Sequence, residues 1–330
     1  MTPLLHPTLV NGRSGDPALF LDIRFAKRAL LFDLGDLHAL DTRKLLRVSD
    51  IFVSHAHVDH FIGFDRVLRV FLGREHRLRL YGPAGIIERV RHKLAGYTWN
   101  LVDRFDTDLV FHVTEIRSPS EAQSAMFRLK ARFEQESAQP PRLTAGALTL
   151  DDNFRVDTTL LDHQIPCVAY AVAEHAHINI WKDRLATLDL PVGPWLRTLK
   201  QAIVEDRPDN TPIAIAAGRT MPLGVLKRKI VQITPGQKVA YVVDTVFSEE
   251  NARRITALAR DADILFIEAT FTREDAARAA DRHHLTSEQA GDIARRARVR
   301  RVEPFHFSPR YGGDEMRLLR EVADAFGARS

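Results

Sequence analysis

The sequence predicts an α/β fold. Three observations point there. Hydrophobic residues make up 45% of the 330 positions, enough to bury a full core. Short apolar runs of strand length alternate with longer amphipathic stretches along the whole chain. The residues richest in chemistry fall where the short runs stop.

Taken in order, strands are expected over 29–33, 51–54, 77–81, 239–243 and 263–267, each apolar and bounded by polar or turn-forming residues. A further strand is expected at 167–172, with Cys167 as a buried apolar member. Helical periodicity appears over 61–71, 84–94, 249–259, 287–297 and 314–326, with Ser248 and Ser287 placed as N-caps. Residues 116–147 mix turn residues with a charged stretch that suggests a helix at 126–136, and they are expected as a surface insertion. Residues 174–237 are loop-rich, with few long apolar runs, and are expected to project as an arm. No internal repeat and no long Pro/Gly/Ser linker divides the chain, so a single domain over 1–330 is expected.

Composition narrows the chemistry. One cysteine allows neither an internal disulfide nor a Cys-based metal site, so any metal must sit on histidine and carboxylate. Lys and Arg number 47 against 43 Asp and Glu, and arginine predominates over lysine, which suits phosphate contacts. No run is long enough to span a bilayer, and the start has no basic segment followed by an apolar one. A cytoplasmic protein without a membrane partner is expected.

The strongest local signal is Ser54-His55-Ala56-His57-Val58-Asp59-His60, after an expected strand and before an expected helix. In an extended stretch His55 and His57 point to the same side, so both imidazoles can grip one ion. The tightening chain can then turn Asp59 and His60 toward a second. Three further ligand-type positions end apolar strands: His163, Asp244 and His306. Alone, each reads as a cap or a satisfied core residue; their conjunction with the first cluster is the signal. His175 and His177 repeat the His-x-His spacing without a following Asp-His and are expected at the surface. His76, His92 and His112 lack partner spacing.

These motifs resemble ribonuclease Z, the tRNA 3′-processing endonuclease branch of the metallo-β-lactamase superfamily. The resemblance extends to His163-Gln164-Ile165-Pro166, Asp244-Thr245, Glu268-Ala269-Thr270, His284-Leu285-Thr286 and His306-Phe307-Ser308-Pro309-Arg310-Tyr311. It implies an αββα sandwich with two zinc ions: one on His55, His57 and His163, a second on Asp59, His60 and His306, and Asp244 bridging both. It also implies hydrolysis of a phosphodiester in precursor tRNA by a hydroxide held between the ions, with Asp59 orienting it or taking its proton. His284 would protonate the leaving 3′ oxygen and Glu268 would orient His284. Leu190-Pro191-Val192-Gly193-Pro194-Trp195 is similar to part of the family's tRNA-clamping arm, so Gly193 and Pro194, with Ser308 and Arg310, are the implied substrate contacts. A homodimer is a further implication of the resemblance.

The chain departs from the family at Asp36-Leu37-His38, where a Gly-Thr-Gln stretch is usual, at Val243 in place of glycine, and at Ile267 in place of histidine. Two other functions fit the same residues: a zinc phosphodiesterase or other hydrolase of a small substrate, and a metal-stabilised RNA-binding protein that does not cut. The arginine run 295–301 reads as a solvated helix end or as a phosphate contact.

Overall fold

The computed structural model describes residues 4–150, 153–215 and 218–328. The chain divides into two compact units, one of Met1–Ala173 with Gln237–Ser330 and one of Glu174–Gly236. Among the described residues the first unit holds two large sheets. One has eight strands in chain order: β1 (Leu5–Leu9), β2 (Leu19–Ile23), β3 (Ala29–Phe32), β4 (Val48–Phe52), β5 (His76–Pro83), β6 (Leu109–Ser118), β7 (Glu121–Arg128) and β8 (Gln135–Ala138).

The other sheet begins with β9 (Leu143–Thr144), β10 (Ala147–Thr149), β11 (Phe154–Asp162) and β12 (Pro166–Glu174). The second unit follows with β13 (His177–Ile180), β14 (Pro212–Ala214), β15 (Thr220–Pro222) and β16 (Val231–Thr234). The chain then returns with β17 (Lys238–Val242), β18 (Ile264–Glu268) and β19 (Val302–Phe305), giving the order β19-β18-β17-β12-β11-β10-β9.

Strand side chains alternate between faces, and that alternation explains the uninterrupted apolar runs. Leu30, Phe32 and Phe52 face an inter-sheet core with Tyr170, Tyr241 and Phe305. Their neighbours Ala29, Leu31 and Ile51 turn to a second core, under helices Phe64–Phe71 and Ile86–Ala95. On the other sheet Ala240, Val242, Leu265 and Ile267 pack against helices Glu249–Ala259, Ser287–Arg296 and Glu315–Gly327. Helix, sheet, sheet and helix layers result, each fully buried Leu, Ile, Val or Phe side chain adding about 1.5–3 kcal/mol. Among the described residues, no helix is long and apolar enough to cross a membrane.

β3 to β6 run parallel, as do β17 to β19. Parallel strands carry their following turns to one edge, and Glu268 lies in register with Phe305, directly before His306. Three strand-end residues there take left-handed backbone angles without being glycine: Asp33 (φ 54°), Asp244 (φ 45°) and His306 (φ 57°). Asp and His tolerate that region better than most residues, and the turn re-aims each side chain out of the sheet.

Three expectations need correction. Residues 126–136 form no helix: they belong to β7, a short 3-10 turn (Leu129–Ala131) and β8. Within segment 116–147, Phe127, Leu129 and Phe133 are buried in the core. The N-cap of helix Ser287–Arg296 is Thr286 in place of Ser287, in a capping box with Gln289; Ser248 caps its helix as expected, accepting from the Asn251 N–H. The helix expected over 61–71 is interrupted at Ile62-Gly63, where Val58–Phe61 ends before Phe64–Phe71 begins.

The second unit is better ordered than its loop-rich sequence suggests. Helices Lys182–Thr187, Trp195–Val204 and Leu223–Ile230 bury Leu185, Trp195, Leu199, Leu226 and Ile230 in a small core of its own. The Trp195 indole N–H donates to the Pro191 carbonyl at 2.8 Å and closes the loop holding Gly193 and Pro194.

Candidate metal centre

The loop after β4 lays His55, His57, Asp59 and His60 into one edge of the first unit. The turns after β11, β17 and β19 bring His163, Asp244 and His306 to the same place. Asp244 is the hub. Its Oδ2 lies 3.5 Å from His55 Nε2, 3.5 Å from His163 Nε2 and 3.4 Å from His60 Nε2, and its Oδ1 lies 2.8 Å from His306 Nδ1. Asp59 Oδ2 is 3.4 Å from both His60 Nε2 and His306 Nε2.

Donor atoms within 4.8 Å of one another thus form a group of His55, His57, His163 and Asp244 and a group of Asp59, His60 and His306. A third group of this kind joins Asp244 and His306 to Glu268 and His284. Among the described residues none includes His175 or His177, and His177 pairs with Glu174 at 2.8 Å.

The donor set fits metal. His55 Nε2 and His57 Nδ1 face each other at 2.9 Å, and the buried His60 Nε2 has no hydrogen-bond partner among the described residues. His306 Nδ1 and Asp244 Oδ1 approach without hydrogen-bonding geometry, so both remain unsatisfied. Buried polar atoms in that state cost free energy unless a cation sits among them. Imidazole nitrogen with carboxylate oxygen is a donor mixture that suits zinc.

Burial and neighbouring charges pull the histidines of the cluster in opposite directions. Burial, with help from the neighbouring His60 cation, drops the His55 pKa to about 2, which keeps it neutral, the ligating form. Burial acts against the His306 cation too, but the adjacent Asp244 carboxylate outweighs it and raises that pKa to about 10. Burial likewise opposes ionisation of Asp244, yet His306 and His60 hold it well below the usual carboxylate range.

Behind the donors stands a layer that sequence reasoning missed. The carboxylate of Asp33, fully buried, accepts from Ser54 N (2.6 Å), Ser54 Oγ (2.8 Å) and Tyr241 OH (2.9 Å), and it pairs with His60 Nδ1 at 3.0 Å. That contact turns His60 Nε2 toward Asp59 and Asp244. His163 Nδ1 donates to the His283 carbonyl at 2.7 Å and leaves its Nε2 for the cluster. The one sequence signal for Asp33 was a carboxylate ending an apolar strand, the same signal that singled out Asp244.

His284 and Glu268 form a pair at the side of the cluster. Glu268 Oε2 meets His284 Nδ1 at 2.9 Å and accepts from Thr270 Oγ1 at 2.6 Å, while its Oε1 accepts from Thr245 N at 2.7 Å. With both oxygens engaged, Glu268 serves to hold the imidazole. Burial opposes the His284 cation, but Glu268 outweighs it and raises its pKa. A cavity of about 720 Å³ opens over the cluster, lined by His57, Asp59, His163, His284, Ser308 and Arg310 among others. Arg310 is steadied at its rim by Asp275 at 3.6 Å. Gly193 and Pro194 belong to the second unit and are not among the residues lining this cavity.

The arginine run 295–301 resolves as neutralised surface. Arg295, Arg296, Arg298, Arg300 and Arg301 each pair with a carboxylate: Asp292, Glu249 or Asp292, Asp261, Asp263 and Glu303 in turn.

Comparison with known proteins agrees with this architecture. The sequence model of the Beta-lactamase superfamily domain matches residues 214–307. A ribonuclease Z of Deinococcus radiodurans is 32% identical over 330 residues, covering 98% of this chain and 96% of that protein. Among solved structures, the metallo-beta-lactamase fold protein YhfI of Bacillus subtilis superposes with a TM-score of 0.55 at 16% identity, over 97% of this chain and 92% of its own. Human tRNase Z, short form, gives 0.52 at 20% identity, over 93% and 91%.

Proposed function

The chain belongs to the ribonuclease Z family of metal-dependent hydrolases with the metallo-β-lactamase fold, and from that premise we propose that it is a two-zinc endoribonuclease cutting precursor tRNA at its 3′ side. On this reading His55, His57 and His163 hold one ion, Asp59, His60 and His306 the other, and Asp244 serves both. When bound, the ions would supply Lewis-acid charge that activates water and neutralises negative charge on the phosphoryl oxygens.

The chain's own residues divide the remaining work. Asp59, whose side chain is 43% exposed where Asp244 is buried, reaches the cavity and can orient the attacking water or take its proton. His284, anchored at Nδ1 by Glu268, presents Nε2 to the departing 3′ oxygen as its proton source. Ser308 and Arg310 border the cavity as substrate contacts, and the second unit, with Gly193 and Pro194, acts as a tRNA-gripping arm. The observation that carries this reading is the meeting, in one cavity, of both donor groups with a carboxylate-anchored imidazole.

The test is cleavage of a 3′-extended precursor tRNA by zinc-loaded protein, beside a bis-aryl phosphodiester and a chelator control. Chelator-sensitive cutting at the 3′ side of the tRNA body is the expected outcome. Hydrolysis of the small ester alone would replace the tRNA reading with that of a small-substrate phosphodiesterase. His284→Ala should lower turnover on precursor tRNA by about 10²–10⁴-fold with metal content unchanged; normal turnover would remove His284 from the mechanism.

A further inference from the structure

Two arginines on the wall of the metal-site cavity take no part in the chemistry described above. Arg278 and Arg282 stand on helix Ala276–Arg282, both exposed, and both line the cavity that His284 and Asp244 also line. They are four residues apart, which brings side chains to one face about 5–6 Å from each other.

Neither is held in a close ion pair among the described residues, although Arg278 is one of the charges that lower the pKa of Asp275. Arg278 has no carboxylate within ion-pairing distance among the described residues. Among the described residues Arg282 has only its neighbour Asp281 at 3.7 Å, with side chains 69% and 78% exposed, a pair that solvent screens. The contrast with the run 295–301 is informative, because there every arginine is matched by an acid. The acids next to Arg278 on the chain are also engaged elsewhere: Glu274 with Arg317, and Asp275 with Arg310 and the Tyr311 hydroxyl.

We propose that Arg278 and Arg282 receive successive backbone phosphates of the RNA strand next to the scissile bond. The inference rests on the RNA reading of this site and adds two residues to it. Guanidinium groups bind phosphate through paired N–H donors, and a one-turn spacing on a helix suits consecutive phosphates of one strand. Arg282 precedes His284 by two residues, so the phosphates concerned lie on the side of the leaving oxygen. Another stretch of the wall carries Asp16, which repels a polyanion and favours the path over the arginines.

The experiment measures fluorescence anisotropy of a labelled RNA spanning the cleavage junction, with a non-hydrolysable linkage at the scissile position, bound to the zinc-loaded full chain across a salt series. Arg278→Ala/Arg282→Ala should bind about tenfold more weakly. Its plot of log affinity against log salt should flatten by about 1.4, at roughly 0.7 for each single-strand phosphate that no longer meets a cation. Arg278→Lys/Arg282→Lys should recover most of the slope, which a merely structural role would not produce. Affinity and slope equal to wild type in the alanine variant would overturn the proposal, as would absence of measurable RNA binding by the wild type. Precursor-tRNA cleavage, run in parallel, judges the processing reading by itself: a wild type that fails to cut while the alanine variant still shows the flatter slope leaves the arginine–phosphate proposal standing.

Discussion

Asp33 shows how much of a metal site is decided by a residue that would touch no metal. Four donors converge on its buried carboxylate, and one of them, His60 Nδ1, fixes which nitrogen of that ring faces Asp244 and Asp59. Asp33→Asn keeps the shape and tolerates the left-handed backbone at φ 54°. It replaces one acceptor oxygen with an NH₂ group that confronts other donors. The expected result is a stability loss of about 3 kcal/mol, in the range for breaking a buried charge pair. Metal affinity should fall roughly 10–100-fold, as for other partners behind metal ligands. Thermal unfolding and metal content after dialysis against a competing chelator would check both. Unchanged metal content would mean that Ser54 and packing alone hold His60.

Among elements, the contact between helices Ser287–Arg296 and Glu315–Gly327 governs the layer outside the second sheet. A Cβ on Gly291 would stand 2.5 Å from the Val322 carbonyl and 2.7 Å from Ala325 Cβ. Gly291→Ala should therefore cost about 1–3 kcal/mol by overpacking, although alanine favours an isolated helix; a raised melting temperature would contradict the close approach. Glu321 ties the same pair, accepting from Ser287 Oγ and from Arg273 N at 2.8 Å, with Arg317 Nε at 3.2 Å. Burial resists its ionisation, but these donors prevail and hold its pKa below the ordinary 4.5. A carboxylate depressed in the folded state stabilises above its unfolded pKa and loses that contribution as pH falls toward the folded value. Glu321→Gln should thus cost stability at pH 7 and narrow its gap to wild type on acidification below about 4.5; a constant gap from pH 7 to 3 would exclude the charge effect. The helices on this side of the fold were legible because their apolar spacing follows one face. In segment 126–136 Arg, Lys and Glu favour a helix, but Arg128, Lys130, Arg132 and Glu134 alternate with Phe127, Leu129, Ala131 and Phe133, which argues against one; the strands stop at Arg128 and resume at Gln135 with a 3-10 turn between them. The second unit's core is not legible in its loop-rich sequence because Leu185, Trp195, Leu199 and Leu226 meet only after short helices bring them together.

At the scale of the whole first unit, the donor cluster is a joint between two sheets. His55, His57, Asp59 and His60 follow β4 of the eight-stranded sheet, whereas His163, Asp244 and His306 follow β11, β17 and β19 of the other. Position in sequence made these donors legible, since each ends an apolar run, but only the fold shows that they span both sheets and that Asp33 and Tyr241 join across the core behind them. A metal bound there stabilises the folded state by mass action, about 2.7 kcal/mol at a free concentration one hundred times the Kd. At roughly 2–4 °C per kcal/mol for a chain at the large end of single domains, chelation should lower the melting temperature by several degrees. The three apolar layers do not depend on the ion, so far-UV circular dichroism at 25 °C should be unchanged while hydrolysis is lost, and zinc should restore both melting temperature and activity. A melting temperature indifferent to chelator and to added zinc would show that no ion bridges the sheets, and the cluster would then be held by its imidazolium–carboxylate pairs alone.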